Sequence, residues 1–308
     1  MGEIGLPRLV LTVPPEADGL RAADYLRRAA HLSGANLRQL RDRGGLCLDG
    51  AEIPGYTPLR AGGILSADLS DPPAAEPVSA GELPMVLYAD AWFALVDKPA
   101  GLATHASTFQ PGVETMHNRM AALWGEDIIY HPVNRLDRHT SGVMCVARCA
   151  YMHERMKSLL HTDGFVRSYL ALCRGRPKED SGSVELPIGR EEGSLLRRRT
   201  GVGQYARTDY RVLCANGEAS LVLALPRTGR THQIRVHMQA LGCPLLGDFL
   251  YGDETAFPRT ALHSAAVSLC HPITGERLKI SAPLPEDMKT YLSSNGLNFN
   301  DREDLLHV

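Results

Sequence analysis

Between Asp71 and Pro84 the chain reads Asp-Pro-Pro-Ala-Ala-Glu-Pro-Val-Ser-Ala-Gly-Glu-Leu-Pro. Four prolines in this short stretch remove backbone donors and fix φ, so it can neither continue a helix nor join a central strand. It therefore divides the 308-residue chain. The expected organisation is a small domain over residues 1–70, a linker over 71–84, a large domain over 85–292 and a polar, loosely held C-terminal tail over 293–308.

Before the linker, residues 20–30 and 36–43 have the spacing of two short helices, and residues 46–50 and 63–67 that of strands around Gly-rich turns. The helices carry Arg21, Arg27, Arg28, Arg38, Arg41 and Arg43. Such a face can follow a phosphate backbone, or, with acidic residues interspersed, simply be solvated. Beyond the linker, apolar runs at 86–88 and 92–96 suit a hairpin, and further strands are expected at 143–147, 168–173, 208–213 and 221–225. Helical spacing covers residues 150–161 and 231–241, the latter from Ile234, Met238 and Leu241. Strands outnumber helices and often follow one another directly, so the expected class is α+β and not a doubly wound sheet.

The formal net charge of -2 means that any nucleic-acid surface has to be local. Among the basic residues 28 are Arg and 5 are Lys, and the planar guanidinium is the better partner for phosphates and base faces. Seven scattered cysteines without a C-x-x-C pair read as reduced thiols, with no zinc site. The first residues lack a basic segment followed by an apolar stretch, and no window approaches the length that spans a bilayer, so the expectation is a cytoplasmic protein without a membrane partner.

Three polar segments stand out. Asn134-Arg135-Leu136-Asp137-Arg138-His139-Thr140-Ser141-Gly142 lies between Pro132 and an apolar strand, where connecting loops usually present catalytic side chains. If it is extended, Arg135 and Asp137 share a side and Arg138 faces away; a surface turn with an exposed ion pair would look the same. Pro226 to His237, with Thr228, Gly229, Arg230, Thr231, His232, Gln233 and Arg235, runs from a strand through a turn into a helix start, a place that attracts anions. In Arg167-Ser168-Tyr169-Leu170-Ala171-Leu172-Cys173 the alternation of a strand puts Tyr169 on one face.

Together these segments resemble the RluA-type pseudouridine synthases, from about Leu87 to about Pro283. The runs Arg135-Leu136-Asp137-Arg138 with Thr140-Ser141-Gly142, and Thr228 to His237, are highly specific. Weaker matches are Asp97-Lys98-Pro99-Ala100-Gly101-Leu102, Tyr169-Leu170-Ala171, Gly247-Asp248 with Tyr251-Gly252, and Leu262-His263. The first domain is loosely similar to an S4 RNA-binding domain.

The resemblance implies isomerisation of uridine to pseudouridine in ribosomal or transfer RNA, on a mixed, mostly antiparallel sheet with a cleft. Asp137 would be the catalytic aspartate, Tyr169 the tyrosine packing on the target base, and Arg235 the cation paired with Asp137. Arg135 would enter the space left by the extruded base, and Arg138, Arg230, Thr231, His232 and Gln233 would contact RNA. A cation beside a carboxylate favours its charged, nucleophilic form. Breaking N1–C1′ and making C5–C1′ needs no redox cofactor and no metal, so none is expected; RNA is the one expected partner of a monomer. Attack at C1′, addition to the ring and a glycal path all remain open.

Two positions depart from the family: Asn134 stands where His is usual, and Arg167 where Lys is usual. The alternatives are a non-catalytic RNA-binding assembly factor on the same fold, and a hydrolase using Asp137, for which no G-x-S-x-G, H-E-x-x-H or spaced acid pair speaks.

Overall fold

The structure is a computed structural model that describes residues 6–106 and 112–299. Residues 300–308 of the expected tail lie outside the described residues. Leu297, in the part that is described, is buried, so packed chain extends past the boundary expected at 293.

The first part forms a four-stranded antiparallel sheet in the order β1 (Arg8–Thr12), β4 (Ile64–Asp68), β2 (Leu46–Leu48), β3 (Ala51–Glu52). Helices α1 (Ala22–Ala29) and α2 (Gly34–Arg43) accompany it. Ser33 starts α2 with a capping box: its side chain accepts from the Asn36 N–H, and the Asn36 side chain accepts from the Ser33 N–H, satisfying donors a helix leaves open. Leu26, Leu40 and Leu65 are buried, and the six arginines remain exposed. The module is not isolated, because Tyr151 of the second part donates to the Ala30 carbonyl (2.9 Å).

Residues 71–84 form no regular element, yet they lie along the second part. The Asp71 carboxylate meets His131 Nε2 (2.6 Å) and accepts from the Ala150 N–H (3.1 Å). The N–H groups of Ala74, Val78 and Gly81 donate to the carbonyls of Asp127, Glu126 and Asn118.

The second part is built on a ten-stranded sheet: β5 (Met85–Ala89), β6 (Phe93–Lys98), β7 (His131–Pro132), β8 (Ser141–Ala147), β9 (Phe165–Arg174), β10 (Ser181–Glu185), β13 (Arg207–Ala215), β14 (Ala219–Pro226), β15 (Leu262–Cys270) and β16 (Arg277–Ser281). The long path is β10-β13-β14-β9-β15-β8-β6-β5, with β16 on β15 and β7 on β8. A hairpin of β11 (Ile188–Arg190) and β12 (Arg198–Thr200) stands apart from it. Helices α3 (Met116–Trp124), α4 (Ala150–Leu159), α5 (Gln233–Ala240) and α6 (Glu286–Ser294) complete the part.

Strands β8, β9 and β14 read as nearly unbroken apolar runs because both faces of the sheet are covered. On β9, Tyr169, Ala171 and Cys173 pack with α3 and α5 residues Met116, Ile234 and Met238, while Leu170 and Leu172 pack with Met288 and Leu292 of α6.

Strand β15 pairs parallel with β8 over only two residues, His263 opposite Ser141 and Ser264 opposite Gly142. Gly142 has φ +107, and a Cβ there would collide with the Ser264 backbone. Only glycine lets these backbones meet, and the meeting fixes where the preceding loop, with Asp137, leaves the sheet.

His263 is buried, its Nδ1 2.9 Å from Ser141 Oγ, and burial pushes its imidazole down to about 4 from 6.5. The unfolded chain takes up this proton first as pH falls below 6.5, so the contribution of neutral His263 is lost between pH 6.5 and 4. That loss is about 3 kcal/mol. Chemical denaturation of wild type and His263→Gln across this range should show it as a steeper acid decline in the wild type; parallel declines would refute it.

Candidate active site

The loop from Asn134 to Thr140 has no regular structure, so each of its backbone groups needs a partner from elsewhere. The Leu136 carbonyl accepts from Thr104 Oγ1 (2.8 Å), the His139 carbonyl from Arg259 Nη1 (3.1 Å), and the Asp137 carbonyl from the Thr140 N–H (3.0 Å). The Arg138 carbonyl accepts from Lys98 Nζ (3.1 Å), which also donates to the carbonyls of Pro99 (2.9 Å) and Leu102 (2.7 Å). Burial draws Lys98 down to about 7, with Asp137 opposing; three carbonyls around one nitrogen favour the form with three N–H donors. At the start of the loop, Asn134 Oδ1 accepts from the Cys145 N–H (2.8 Å). The loop is thus strapped along its length before any substrate arrives.

Opposite it, α5 brings Arg235. Its Nη1 lies 3.0 Å from Asp137 Oδ2, while Nε and Nη2 each sit 2.7 Å from an oxygen of Asp248. The Arg235 side chain is 3% exposed, Asp248 0% and Asp137 32%, so only Asp137 of the three opens to solvent. Burial lowers the Arg235 pKa, but Asp248 and then Asp137 outweigh it and leave it raised. The guanidinium carbon also stands 5.1 Å from the Tyr251 ring centroid and 5.5 Å from that of Phe249, within cation–π range.

His232 enters α5 in the left-handed region, φ +59, an uncommon conformation for a non-glycine residue. Its Nδ1 is 2.8 Å from Tyr251 Oη and its Nε2 3.8 Å from Asp137 Oδ2. Burial lowers its pKa, Asp137 opposing, so the neutral imidazole is the form favoured beside the ion pair.

Tyr169 faces the same space from β9, 6% exposed, opposite Ser264 of β15. Burial raises its phenol pKa. Asp137, Arg235 and Tyr169, spread over 98 residues of sequence, thus line one open cleft of about 780 Å³, within the range of small-molecule sites.

Arg135, Arg230, Thr231 and His232 line the cleft as well. Arg135 is exposed at its mouth and has no hydrogen bond or ion pair among the described residues. Arg230 is held by Tyr205 O (3.1 Å) and Gln204 Oε1 (2.6 Å).

Two expected RNA contacts are placed differently. Arg138 does not line the cleft, and its Nε donates to Gly101 O (2.8 Å); it stands in the turn closed by the Thr140 N–H bond to the Asp137 carbonyl. Gln233 is buried with its amide spent on its own chain: Oε1 accepts from Thr228 Oγ1 and the Arg230 N–H, and Nε2 donates to Arg207 O and Thr208 Oγ1. It also lines the cleft, with its amide holding the turn that leads into α5.

Asp248, Tyr251 and Lys98 fall in the weaker matching runs and Thr104 and Arg259 in none; the structure shows them bonded to Arg235, His232 and the Asp137 loop. Among the described residues no group of three or more His, Cys, Asp or Glu could hold a metal ion, and no helix is long and apolar enough to cross a membrane.

A family model described as RNA pseudouridylate synthase matches residues 93–240, a span containing Asp137, Tyr169 and Arg235. The chain is similar to an uncharacterized RNA pseudouridine synthase of Chloroflexus aurantiacus, 36% identical over 297 residues that are 92% of each chain. It is also similar to the ribosomal large subunit pseudouridine synthase C of Escherichia coli, 36% identical over 222 residues, 68% of this chain and 69% of that one. Among solved structures, human RNA Pseudouridylate Synthase Domain Containing 4 aligns with a TM-score of 0.57 at 25% identity, over 70% of this chain and 94% of that one.

Proposed function

The chain belongs to the RNA pseudouridylate synthase family and is an isomerase of uridine in RNA, and we propose that it works through Asp137, Arg235 and Tyr169 on a uridine of large-subunit ribosomal RNA. The observation that carries the catalytic part is the 3.0 Å contact between Arg235 Nη1 and Asp137 Oδ2 in the cleft beside Tyr169.

In this reading the target base leaves its stack and enters the cleft, where Tyr169 packs on its face. The carboxylate of Asp137 meets the positive charge that develops at C1′ as the N1–C1′ bond breaks. The detached uracil turns while held, C5 bonds to C1′, the C5 proton is lost to solvent and N1 takes one up, so that the product is an isomer of the substrate. Walls formed by Leu136, Ile234 and Leu262 limit water, which would otherwise capture the sugar. Arg235, fixed by Asp248, orients Asp137 without moving itself.

Arg135, without a partner in the described chain, fills the gap the base leaves. Unpairing costs a few kcal/mol, so Arg135→Ala should lower turnover on a structured RNA about tenfold more than on an unstructured oligonucleotide. Equal losses on both would remove this role from Arg135.

The name of the Escherichia coli relative supports a ribosomal target. The protein acts as a monomer in the cytoplasm, and the exposed arginines of α1 and α2 add phosphate contacts outside the cleft. Mapping pseudouridines in ribosomal and transfer RNA from cells with and without the gene tests the target. Loss of one or a few sites in large-subunit RNA is the expected result; loss confined to transfer RNA would replace the target class, and no loss anywhere would overturn the reading.

A further inference from the structure

One wall of the cleft carries a cation that the chemistry around Asp137 does not use. Arg167 of β9 is 6% exposed, and no carboxylate lies within ion-pairing distance of it among the described residues. Its Nη2 donates to three backbone carbonyls, those of Pro226 (3.2 Å), Thr228 (3.2 Å) and Leu160 (3.5 Å). Nε is buried without a partner, and Nη1 makes no hydrogen bond among the described residues. Burying a charge is costly unless it is paired, and carbonyl dipoles on one nitrogen offset only part of that cost.

Nη1 faces Gly229 on the wall of the cleft. A Cβ on Gly229 would stand 3.6 Å from Arg167 Nη1 and 3.3 Å from His161 Cε1. Gly229 has no left-handed φ, so its backbone does not demand glycine; a side chain there would crowd the imidazole and the guanidinium. His161 lines the same wall, its pKa lowered first by burial and then by Arg167 and Arg230. Leu160, His161, Arg167 and Pro226 border both the main cleft and an adjoining recess of about 260 Å³, so the spot is a junction that a strand can pass. The nearest carboxylate on that recess, Asp163, faces solvent and is engaged by Arg227.

We propose that Arg167, His161 and Gly229 form a subsite for one backbone phosphate of the RNA strand, adjacent to the target uridine. Arg167 and Tyr169 are two residues apart on one strand face, about 6.7 Å along it, the order of the distance between a nucleotide's base and a neighbouring phosphate. A guanidinium edge suits a phosphate in the way it suits a carboxylate. The identity of the ligand rests on the isomerase reading, because it takes the strand in the cleft to be RNA.

The test is a binding cycle with a short RNA containing the target uridine, in which neutral methylphosphonates replace single phosphates around it. Binding is measured in the Asp137→Asn background, so that no product forms, with and without Gly229→Ala, whose methyl would stand 3.6 Å from Arg167 Nη1 and crowd the approach to it. One methylphosphonate should weaken binding about tenfold when Gly229 is intact and by less than about twofold in the protein that also carries Gly229→Ala. The methylphosphonates at other positions should act alike in both proteins. Equal losses at every phosphate would overturn the subsite. If Gly229→Ala does not fold, the same cycle with His161→Gln decides. Failure of the wild-type protein to make pseudouridine is a separate outcome, which overturns the isomerase reading and not the phosphate contact.

Discussion

Asp137→Asn should reduce pseudouridine formation by at least about 10⁴-fold, a loss of the size seen when a reacting carboxylate or nucleophile is removed, while RNA binding changes by less than about threefold. The expectation follows from how separable the carboxylate is. Its side chain is about one third exposed and makes one close ion pair, to Arg235 Nη1. The backbone of its loop is held by Thr104, Lys98 and Arg259, none of which contacts the Asp137 carboxylate. Arg235 keeps both bonds to Asp248 when Asp137 loses its charge, so no buried cation is abandoned. The amide therefore changes the chemistry and leaves the shape. Release of tritium from 5-labelled uridine, with binding measured on the same preparation, reads both quantities. Activity within tenfold of wild type would remove Asp137 from the reaction, and a binding-only assembly factor would keep its cellular role in the variant.

The residues that the structure brings together in the cleft were legible in sequence, whereas much of what holds them was not. Asp137 and Arg235 sit in highly specific runs and Tyr169 in a weaker one, and all three line the cleft. Asp248 is different: its partner lies 13 residues back, across the end of α5 and an irregular turn, and no local pattern links a buried Asp to an Arg at that spacing. Gln233 lines the cleft as its place in a polar run suggests, but only the structure shows its amide engaged by Thr228, Arg230, Arg207 and Thr208.

The fold divides along similar lines. Strands β8, β9 and β14, covered on both faces, advertise themselves as apolar runs. Strand β15, the centre of the sheet, reads Leu-His-Ser-Ala-Ala-Val-Ser-Leu-Cys and has no such signal. Ser264 Oγ is paired with the Val143 carbonyl and His263 Nδ1 with Ser141, and that pairing exists only after the long-range contacts of the sheet have formed.

Asp248→Asn should be the most damaging change away from the reacting carboxylate. It should lower kcat about 10²- to 10³-fold with little change in KM for RNA, and lower stability by about 3–5 kcal/mol, the usual cost of breaking a buried pair from one side. Asp248 is fully buried, is bidentate to Arg235 and accepts N–H bonds from Leu250 (3.1 Å) and Tyr251 (3.3 Å). With its charge gone, Arg235 retains one anionic partner, Asp137, and the whole guanidinium charge acts on the carboxylate that should face the sugar. The amide NH₂ would also be forced toward the guanidinium or toward those two N–H groups, donor against donor. The combined prediction is sharper than either half: a purely structural role would cost stability and leave kcat per folded molecule intact, whereas a role in presenting Asp137 lowers kcat even under conditions where the variant is fully folded. Denaturant titration and single-turnover kinetics at saturating RNA separate the two. A stable variant with kcat within threefold of wild type would mean that Arg235 is positioned without Asp248, by its Asp137 contact and the rings of Phe249 and Tyr251 alone.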